Sequence, residues 1–300
     1  MNTLEILREH IPEFGKVIKG FKITEDGTHY LNEAMKILPA LAAYPTITEL
    51  MLLPLPNRPQ KKKDLTLDLG MITAQFPELE YLNLWYYGEH HGSLGLEKLK
   101  RLELRRLIGN VVSDLIPKES SQTLEKASFT SPYNVFEAHQ FTSLHPFKNL
   151  KTLDLSPVPV EEAQAIFKNA SHASYSLEHL EICLTLGPNK YDQDLFSLSL
   201  KQLQTLNLTC MAKNDEDRYE AGNAIVDQVT SSLLLLEKLI VRVGWCIGWL
   251  AYFLRLKEMS TVVWNVGRIA KEDEAELKRS IDLLPLPRPR IILPNTNSFY

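Results

Sequence analysis

The sequence predicts an α/β solenoid, a curved horseshoe of about ten strand–loop/helix repeats with a parallel sheet on its concave face. Three observations predict it. Leucine supplies 50 of the 300 residues, while glycine supplies only 13. A short phrase, apolar-x-x-apolar-x-apolar, returns along the whole chain. Its middle anchors fall at 21, 50, 82, 102, 127, 153, 180, 206, 239 and 262, with four consecutive steps of 25 to 27 residues. A repeat this short cannot bury its own leucines, so neighbouring copies must stack into one continuous core. The expectation is a single solenoid domain over residues 1–300.

Each element follows from that phrase. The last two anchors of a copy are two residues apart, so they share one face of a strand and the residues between them face the other way. The phrase opens loosely as Ile18-Phe21-Ile23 and Ile47-Leu50-Leu52. Between these copies, Tyr30–Ala43 carries apolar residues at helical spacing. The next stretch holds three prolines and the run Lys61-Lys62-Lys63, a solvated loop, and then Leu65, Leu67 and Leu69 alternate as a short strand. Clear copies follow at Leu79-Leu82-Leu84 and Leu99-Leu102-Leu104, and a looser one at Leu124-Ala127-Phe129. Leu150-Leu153-Leu155 leads into a helical pattern over Val160–Ala170. Leu177-Leu180-Ile182 and Leu203-Leu206-Leu208 precede the longest predicted helix, Arg218–Leu236, which starts from the acidic run 214–217. Leu236-Leu239-Val241 and Met259-Val262-Trp264 complete the series. Prolines 285, 287 and 289 then lead to a last edge strand, Ile291–Leu293.

This pattern resembles the leucine-rich repeat family over nearly the whole chain. The resemblance implies parallel strands along the inner face of a solenoid, with helices behind. The family usually places Asn or Cys three residues after the last anchor, where the side chain satisfies backbone groups in the turn. Here those positions hold Tyr87, Leu107, Val158, Thr185 and Met211. The repeats are therefore degenerate, and similar to the repeat portion of F-box ubiquitin-ligase receptors. An F-box needs roughly 40 residues of helix ahead of the repeats. The nearest match to its opening, Ile11-Pro12-Glu13, leaves no room before the first strand, so the resemblance is confined to the repeats.

Composition excludes several function classes. Lys+Arg 33 against Asp+Glu 37 gives a formal charge of −4, which argues against a dedicated binder of nucleic acid or anionic membranes. The most apolar segment, Gly244–Leu254, has 11 residues, short of the ~20 needed to span a bilayer. The N-terminus is charged throughout and has no signal-peptide core. Cys183, Cys210 and Cys246 are odd in number and widely spaced, so they form no disulfide framework. The expected compartment is cytoplasmic or nuclear.

No catalytic residues, metal ligands or cofactor sites are expected. The chain has no G-x-S-x-G elbow, no phosphate loop and no dinucleotide fingerprint. Its histidines, His90-His91 among them, sit at no metal-site spacing. The cysteines continue as Cys-Leu-Thr, Cys-Met-Ala and Cys-Ile-Gly, unlike the Cys-x-Asp of bacterial repeat ligases. No small-molecule substrate is evident.

The outward strand positions remain as the candidate protein-binding surface: Tyr81, Asn83 and Trp85; Arg101, Glu103 and Arg105; Asp154; His179 and Glu181; Asn207; and Arg242. The first two sets adjoin, and they combine aromatic and arginine side chains of the kind enriched at interface hot spots. Arg101 and Arg105 beside Tyr81 and Trp85 are expected to form a local positive spot that favours a partner with exposed Asp and Glu. The expectation is a non-catalytic interaction module, a recognition subunit of a ubiquitin-ligase-type assembly that binds its protein partner on the concave face. The alternative is a structural or regulatory scaffold, or a pathogen or symbiont effector, that binds through convex helices or proline-rich segments.

Overall fold

The structure is a computed structural model. It describes residues 19–25, 37–42, 46–54, 67–88, 90–107, 122–130, 147–160, 163–164, 167, 177–186, 200–212, 215–242, 256, 258–265, 279, 282 and 290–292. The lysine run at 61–63, Cys246, the segment 244–254 and most of the proline-rich C-terminal stretch lie outside the described residues. The chain divides into two compact units, Met1–Thr142 and Ser143–Tyr300.

In the first unit, five strands run parallel in the order β1 (Gly20–Glu25), β2 (Glu49–Pro54), β4 (Tyr81–Gly88), β6 (Arg101–Leu107) and β7 (Lys126–Thr130). The sequence anchors set the register. Phe21 pairs with Leu50, Leu50 with Leu82, Leu82 with Leu102, and Leu102 with Ala127. The third anchors align one step later, from Ile23 through Leu52, Leu84 and Leu104 to Phe129. Leu50, Leu82 and Leu102 are wholly buried, and Ile47, Leu79 and Leu99 ahead of them and Leu52, Leu84 and Leu104 after them are nearly so. A one-residue slip would turn every leucine of a strand to the opposite face, so the buried rows lock the register.

The second unit repeats the arrangement in the order β8 (Thr152–Pro159), β9 (His179–Leu186), β10 (Thr205–Ala212), β11 (Lys238–Arg242), β12 (Thr261–Asn265) and β13 (Arg290–Ile292). Leu153, Leu180, Leu206, Leu239, Val262 and Ile291 form the middle row. The predicted last strand at 291–293 is present one residue earlier, paired with β12. In each unit these strands run wholly parallel, with rows of buried hydrophobic residues on one face.

Two devices recur at the strand starts. One backbone carbonyl accepts two N–H donors from the next copy. Thr48 receives Glu80 and Tyr81 this way, Glu178 receives Gln204 and Thr205, and Gln204 receives Glu237 and Lys238. The other is a tight turn ahead of the first anchor, with Leu79 donating to Phe76, Leu99 to Leu96, Leu203 to Leu200, Leu236 to Leu233 and Met259 to Leu256. Phe76, Leu96, Leu200, Leu233 and Leu256 are all buried, as is Phe147 at the matching place before Leu150. The phrase therefore has a fourth anchor, three residues ahead of the first.

Strands β4, β6, β8, β9 and β10 continue through residues 87, 107, 158, 185 and 211, the positions at which the resemblance implied a turn. The extra length adds buried positions, since Val158 and Leu184 are wholly buried and Cys210 is 3% exposed. Two of these long strands carry a register shift, between Trp85 and Gly88 and between Leu155 and Val158. Each places three residues against two of its partner, as in a β-bulge.

Helices cover the leucine side where they are described. Val160, Ala163 and Phe167 are buried at helical spacing, as are Ile37, Leu38 and Leu41. Helix α2 (Asp215–Ser232) packs against β9 and β10 through Ile225, Val226 and Val229. It begins and ends earlier than the predicted Arg218–Leu236. The acidic run forms its first turn, which suits the positive helix end, and Leu233–Leu236 becomes the recurring turn instead.

The predicted strand through Leu65, Leu67 and Leu69 is corrected at its end: Leu65 lies outside the described residues, β3 (Leu67–Asp68) is extended, and Leu69 opens helix α1 (Leu69–Gln75). The cause is Asp68, whose carboxylate accepts the Met71 N–H at 3.0 Å and caps the helix. Strand β5 (His90–His91) pairs with β3, and His91 Nε2 lies 3.3 Å from Asp68 Oδ2. Gly92 completes this corner at φ +77°, where an added Cβ would lie 2.8 Å from the Gly70 nitrogen.

The Met71 hydrogen bond holds the Asp68 carboxyl below its ordinary range, with partial opposition from desolvation and further help from His91. A carboxyl depressed in the folded state stabilises it above the ordinary carboxylate range, and that contribution is lost as pH falls through the folded value. Asp68→Asn keeps a capping oxygen but removes the titration. The stability difference between wild type and Asp68→Asn should therefore shrink as denaturation curves are recorded from neutral toward acidic pH. A difference that stays constant over that range would show that the cap does not depend on charge.

Candidate functional site

Cross-strand register places the candidate residues in rows on the sheet face opposite the leucines. In the first unit, one row runs Glu49, Tyr81, Arg101, Lys126, and the next runs Met51, Asn83, Glu103, Ser128. A third step aligns Trp85 with Arg105. The side chains of Trp85, Arg105 and Arg242 lie outside the described residues, although their backbones stand in β4, β6 and β11.

Tyr81, Asn83, Arg101 and Glu103 form one connected network. Asn83 Nδ2 donates to Glu103 Oε2 at 2.8 Å and to the Tyr81 hydroxyl at 3.0 Å. Arg101 donates to Glu103 Oε1 through Nε at 3.0 Å and also through its terminal nitrogen. The guanidinium carbon lies 4.4 Å from the centre of the Tyr81 ring, a cation–π contact. Asn83 and Glu103 are each only 6% exposed, despite pointing away from the core. A buried carboxylate is costly unless hydrogen bonds and an opposite charge compensate it, and Asn83 and Arg101 supply both.

This network changes the electrostatics expected from the sequence. Two neighbouring arginines predicted a positive spot suited to an acidic partner. The structure gives Arg101 an internal carboxylate, so its charge is already matched within the chain.

The second unit has a different outer face. Its first row is Thr152, His179, Thr205, Lys238, Thr261 and Arg290, and its second is Asp154, Glu181, Asn207, Ile240, Val263 and Ile292. Asp154 and Glu181 are direct cross-strand neighbours. Like charges in that position destabilise a sheet. Glu181 is exposed and Asp154 partly so, whereas Asn207 beside Glu181 is 7% exposed. The Asn207 Oδ1 atom is buried and has no hydrogen-bond donor. Such an orphaned acceptor carries its desolvation cost uncompensated.

Cys183, one step along β9, reports the proximity of the two carboxylates. Burial pushes its thiol up, a hydrogen bond with Ser156 partly opposes this, and Asp154 and Glu181 push it up further. Cys210 points into the core, where burial holds its thiol well above the ordinary range. The strand alternation sends the two sulfurs to opposite faces of the sheet, and both are free thiols.

Among the described residues, no group of three or more His, Cys, Asp or Glu side chains is arranged to hold a metal ion. Among them, too, no helix is long and apolar enough to cross a membrane. Sequence reasoning missed two features of this surface: the withdrawal of Asn83, Glu103 and Asn207 from solvent, and the exposed pair Leu234 and Leu235, at 62% and 51%. That pair occupies the two middle positions of the recurring turn, where other copies carry Pro77-Glu78, Glu97-Lys98, Lys148-Asn149 and Lys201-Gln202. The signal was in the sequence, in the four-leucine run Leu233–Leu236.

No family model matches the chain, and no curated protein matches it.

Proposed function

We propose that this chain is a non-catalytic protein–protein interaction module of the leucine-rich-repeat kind. In this reading it serves as a recognition subunit of a ubiquitin-ligase-type assembly and binds its protein partner on the outer sheet face. One observation carries the proposal. The inward rows stay leucine, isoleucine or valine at nearly every strand, while the outward rows in register with them change chemistry from strand to strand. A constant core with a varied face is how a repeat sheet presents an extended recognition surface.

The test is affinity capture with wild type, Trp85→Ala and Arg105→Glu, two positions in register just beyond the closed Arg101–Glu103 network. Each variant should melt like wild type and bind the captured partner ~1–3 kcal/mol more weakly. Recovery of a ubiquitin-ligase adaptor with the partner would support the assembly; repeated capture of a partner without one would overturn that part.

The exposed Leu234–Leu235 pair favours a second reading, a scaffold that binds through the helix-turn side. Unchanged binding by both face variants, with loss of the partner in a Leu234→Ser/Leu235→Ser variant, would decide for it.

A further inference from the structure

We infer that the outer face of β11, β12 and β13 docks an amphipathic helix of the protein partner, with its apolar stripe on Ile240, Val263 and Ile292 and its acidic flank on Lys238 and Arg290. This rests on the interaction-module reading and specifies the partner chemistry for one part of the face.

The residue types of these strands point to a cover on both faces. In β9 and β10 the outward residue between the buried anchors is polar, Glu181 and Asn207. In the last three strands it is apolar, so the chain reads Leu239-Ile240-Val241, Val262-Val263-Trp264 and Ile291-Ile292. Near-continuous apolar runs belong to parallel strands that are covered on both faces. Leu239, Val241 and Val262 are wholly buried on the inner face, yet Ile240 and Val263 are partly exposed and Ile292 is 38% exposed. These three outward residues stand in one cross-strand row. In the first unit the corresponding row holds a single apolar residue, Met51, beside Asn83, Glu103 and Ser128.

Charge specifies the occupant. The row Lys238, Thr261, Arg290 borders the apolar strip, and both cations are exposed. Among the described residues neither forms an ion pair, whereas Arg101 in the first unit is held by Glu103. Glu237 and Glu258 are exposed in the turns before β11 and β12 and pair with neither cation. Two free cations on a chain of net charge −4 suit a few carboxylates rather than a phosphate polymer.

Spacing favours a helix. Adjacent strands are ~4.8 Å apart, so Ile240 and Ile292 stand about 10 Å apart, with the cation row about 7 Å away along the strands. Residues i and i+7 of an α-helix lie about 10.5 Å apart on one face, with i+3 and i+4 between them. A helix laid across the three strands therefore sets its apolar stripe along the strip, and carboxylates on its flank reach Lys238 and Arg290. An extended segment repeats one face every ~7 Å and matches the strip less well.

The probe is a synthetic amphipathic helical peptide with leucines at i, i+3, i+4 and i+7 and glutamates along one flank. A counterpart carries lysines in place of the glutamates, and each is titrated onto the full chain at low salt. The glutamate peptide should bind wild type, and Lys238→Glu/Arg290→Glu should lose ~tenfold or more in affinity. Ile240→Thr/Val263→Thr keeps the β-branching that suits a strand and should lose a similar amount, with its thermal melt showing whether the fold is retained. Lys148→Glu/Lys201→Glu makes the same charge change at exposed turns and should bind like wild type. Equal affinity of wild type and Lys238→Glu/Arg290→Glu for the glutamate peptide overturns the site, as does equal binding of the lysine peptide or no binding of either. A concentration-dependent dimer that Ile240→Thr/Val263→Thr dissolves also overturns it, since a second copy would then cover the strip.

The broader reading fails separately. Capture of the same protein partner by wild type and Lys238→Glu/Arg290→Glu would leave the module standing without this site. Specific glutamate-peptide binding with no protein partner captured would leave the site standing without the module.

Discussion

Leu206→Ala is expected to lower the unfolding free energy by ~2–5 kcal/mol, the usual range for truncating a buried leucine. Leu206 is wholly buried, and its register partners on both sides, Leu180 and Leu239, are buried equally deeply. A parallel sheet holds these strands through ladders on both edges of β10, so the backbone has little freedom to collapse into the space left by the side chain. The cavity term should therefore persist in addition to the lost transfer energy. Leu234→Ala is the internal control. At 62% exposure it has little burial to lose, and a change within ~0.5 kcal/mol is expected. Urea unfolding curves of the two variants make the comparison. A cost under ~1 kcal/mol for Leu206→Ala would mean that the middle row is not the core.

The same row shows how much of the fold was legible. Period-two alternation of the last two anchors set the face of each strand, and constant spacing set which residues pair across strands. Both are properties of local chemistry, so the register from Phe21 to Ala127 and from Leu153 to Val262 was readable from residue positions. The fourth anchor was equally visible at Phe76, Leu96, Phe147, Leu200, Leu233 and Leu256, but reading only the strand phrase passed over it. Its role depends on a turn hydrogen bond, which hydrophobic periodicity does not encode. Leu69 was misplaced for a related reason. Its alternation with Leu67 looked like a strand, and the capping bond from Asp68 to Met71 outweighed that pattern.

The candidate face was legible in position and not in state. Alternation correctly sends Tyr81, Asn83, Arg101 and Glu103 away from the leucines, and the residue types suggested a partner's carboxylate for Arg101. Sequence spacing cannot show that Glu103, two residues along the same strand, supplies that carboxylate, because this depends on side-chain rotamers and on the burial of the pair. Asn207 stands in the same Asn-between-leucines context as Asn83, and both amide oxygens are buried without a donor, while spacing alone does not show that the Asn83 amide nitrogen donates to Glu103.

Arg101→Leu should cost about 1–3 kcal/mol, more than Glu103→Gln at about 0.5–1.5 kcal/mol. The Arg101 change removes two charged donors from a carboxylate whose side chain is 8% exposed, while that carboxylate stays charged and buried. The Arg101 side chain is itself 45% exposed, so solvent screens part of the attraction and holds the loss below that of a fully buried pair. Removing both charges should be milder than removing the arginine alone. In Arg101→Leu/Glu103→Leu no charge is stranded, and replacement of both partners by apolar groups is often close to neutral. A double-mutant cycle read by urea unfolding should therefore give a clear coupling energy of about 1 kcal/mol or more. Simple additivity of the two single changes would show that the pair is a geometric contact without energetic consequence. Coupling of that size also bears on recognition. Nε and one terminal nitrogen of Arg101 already serve Glu103, so an acidic partner would meet a guanidinium whose charge is matched within the chain, and a carboxylate at this position should add little affinity.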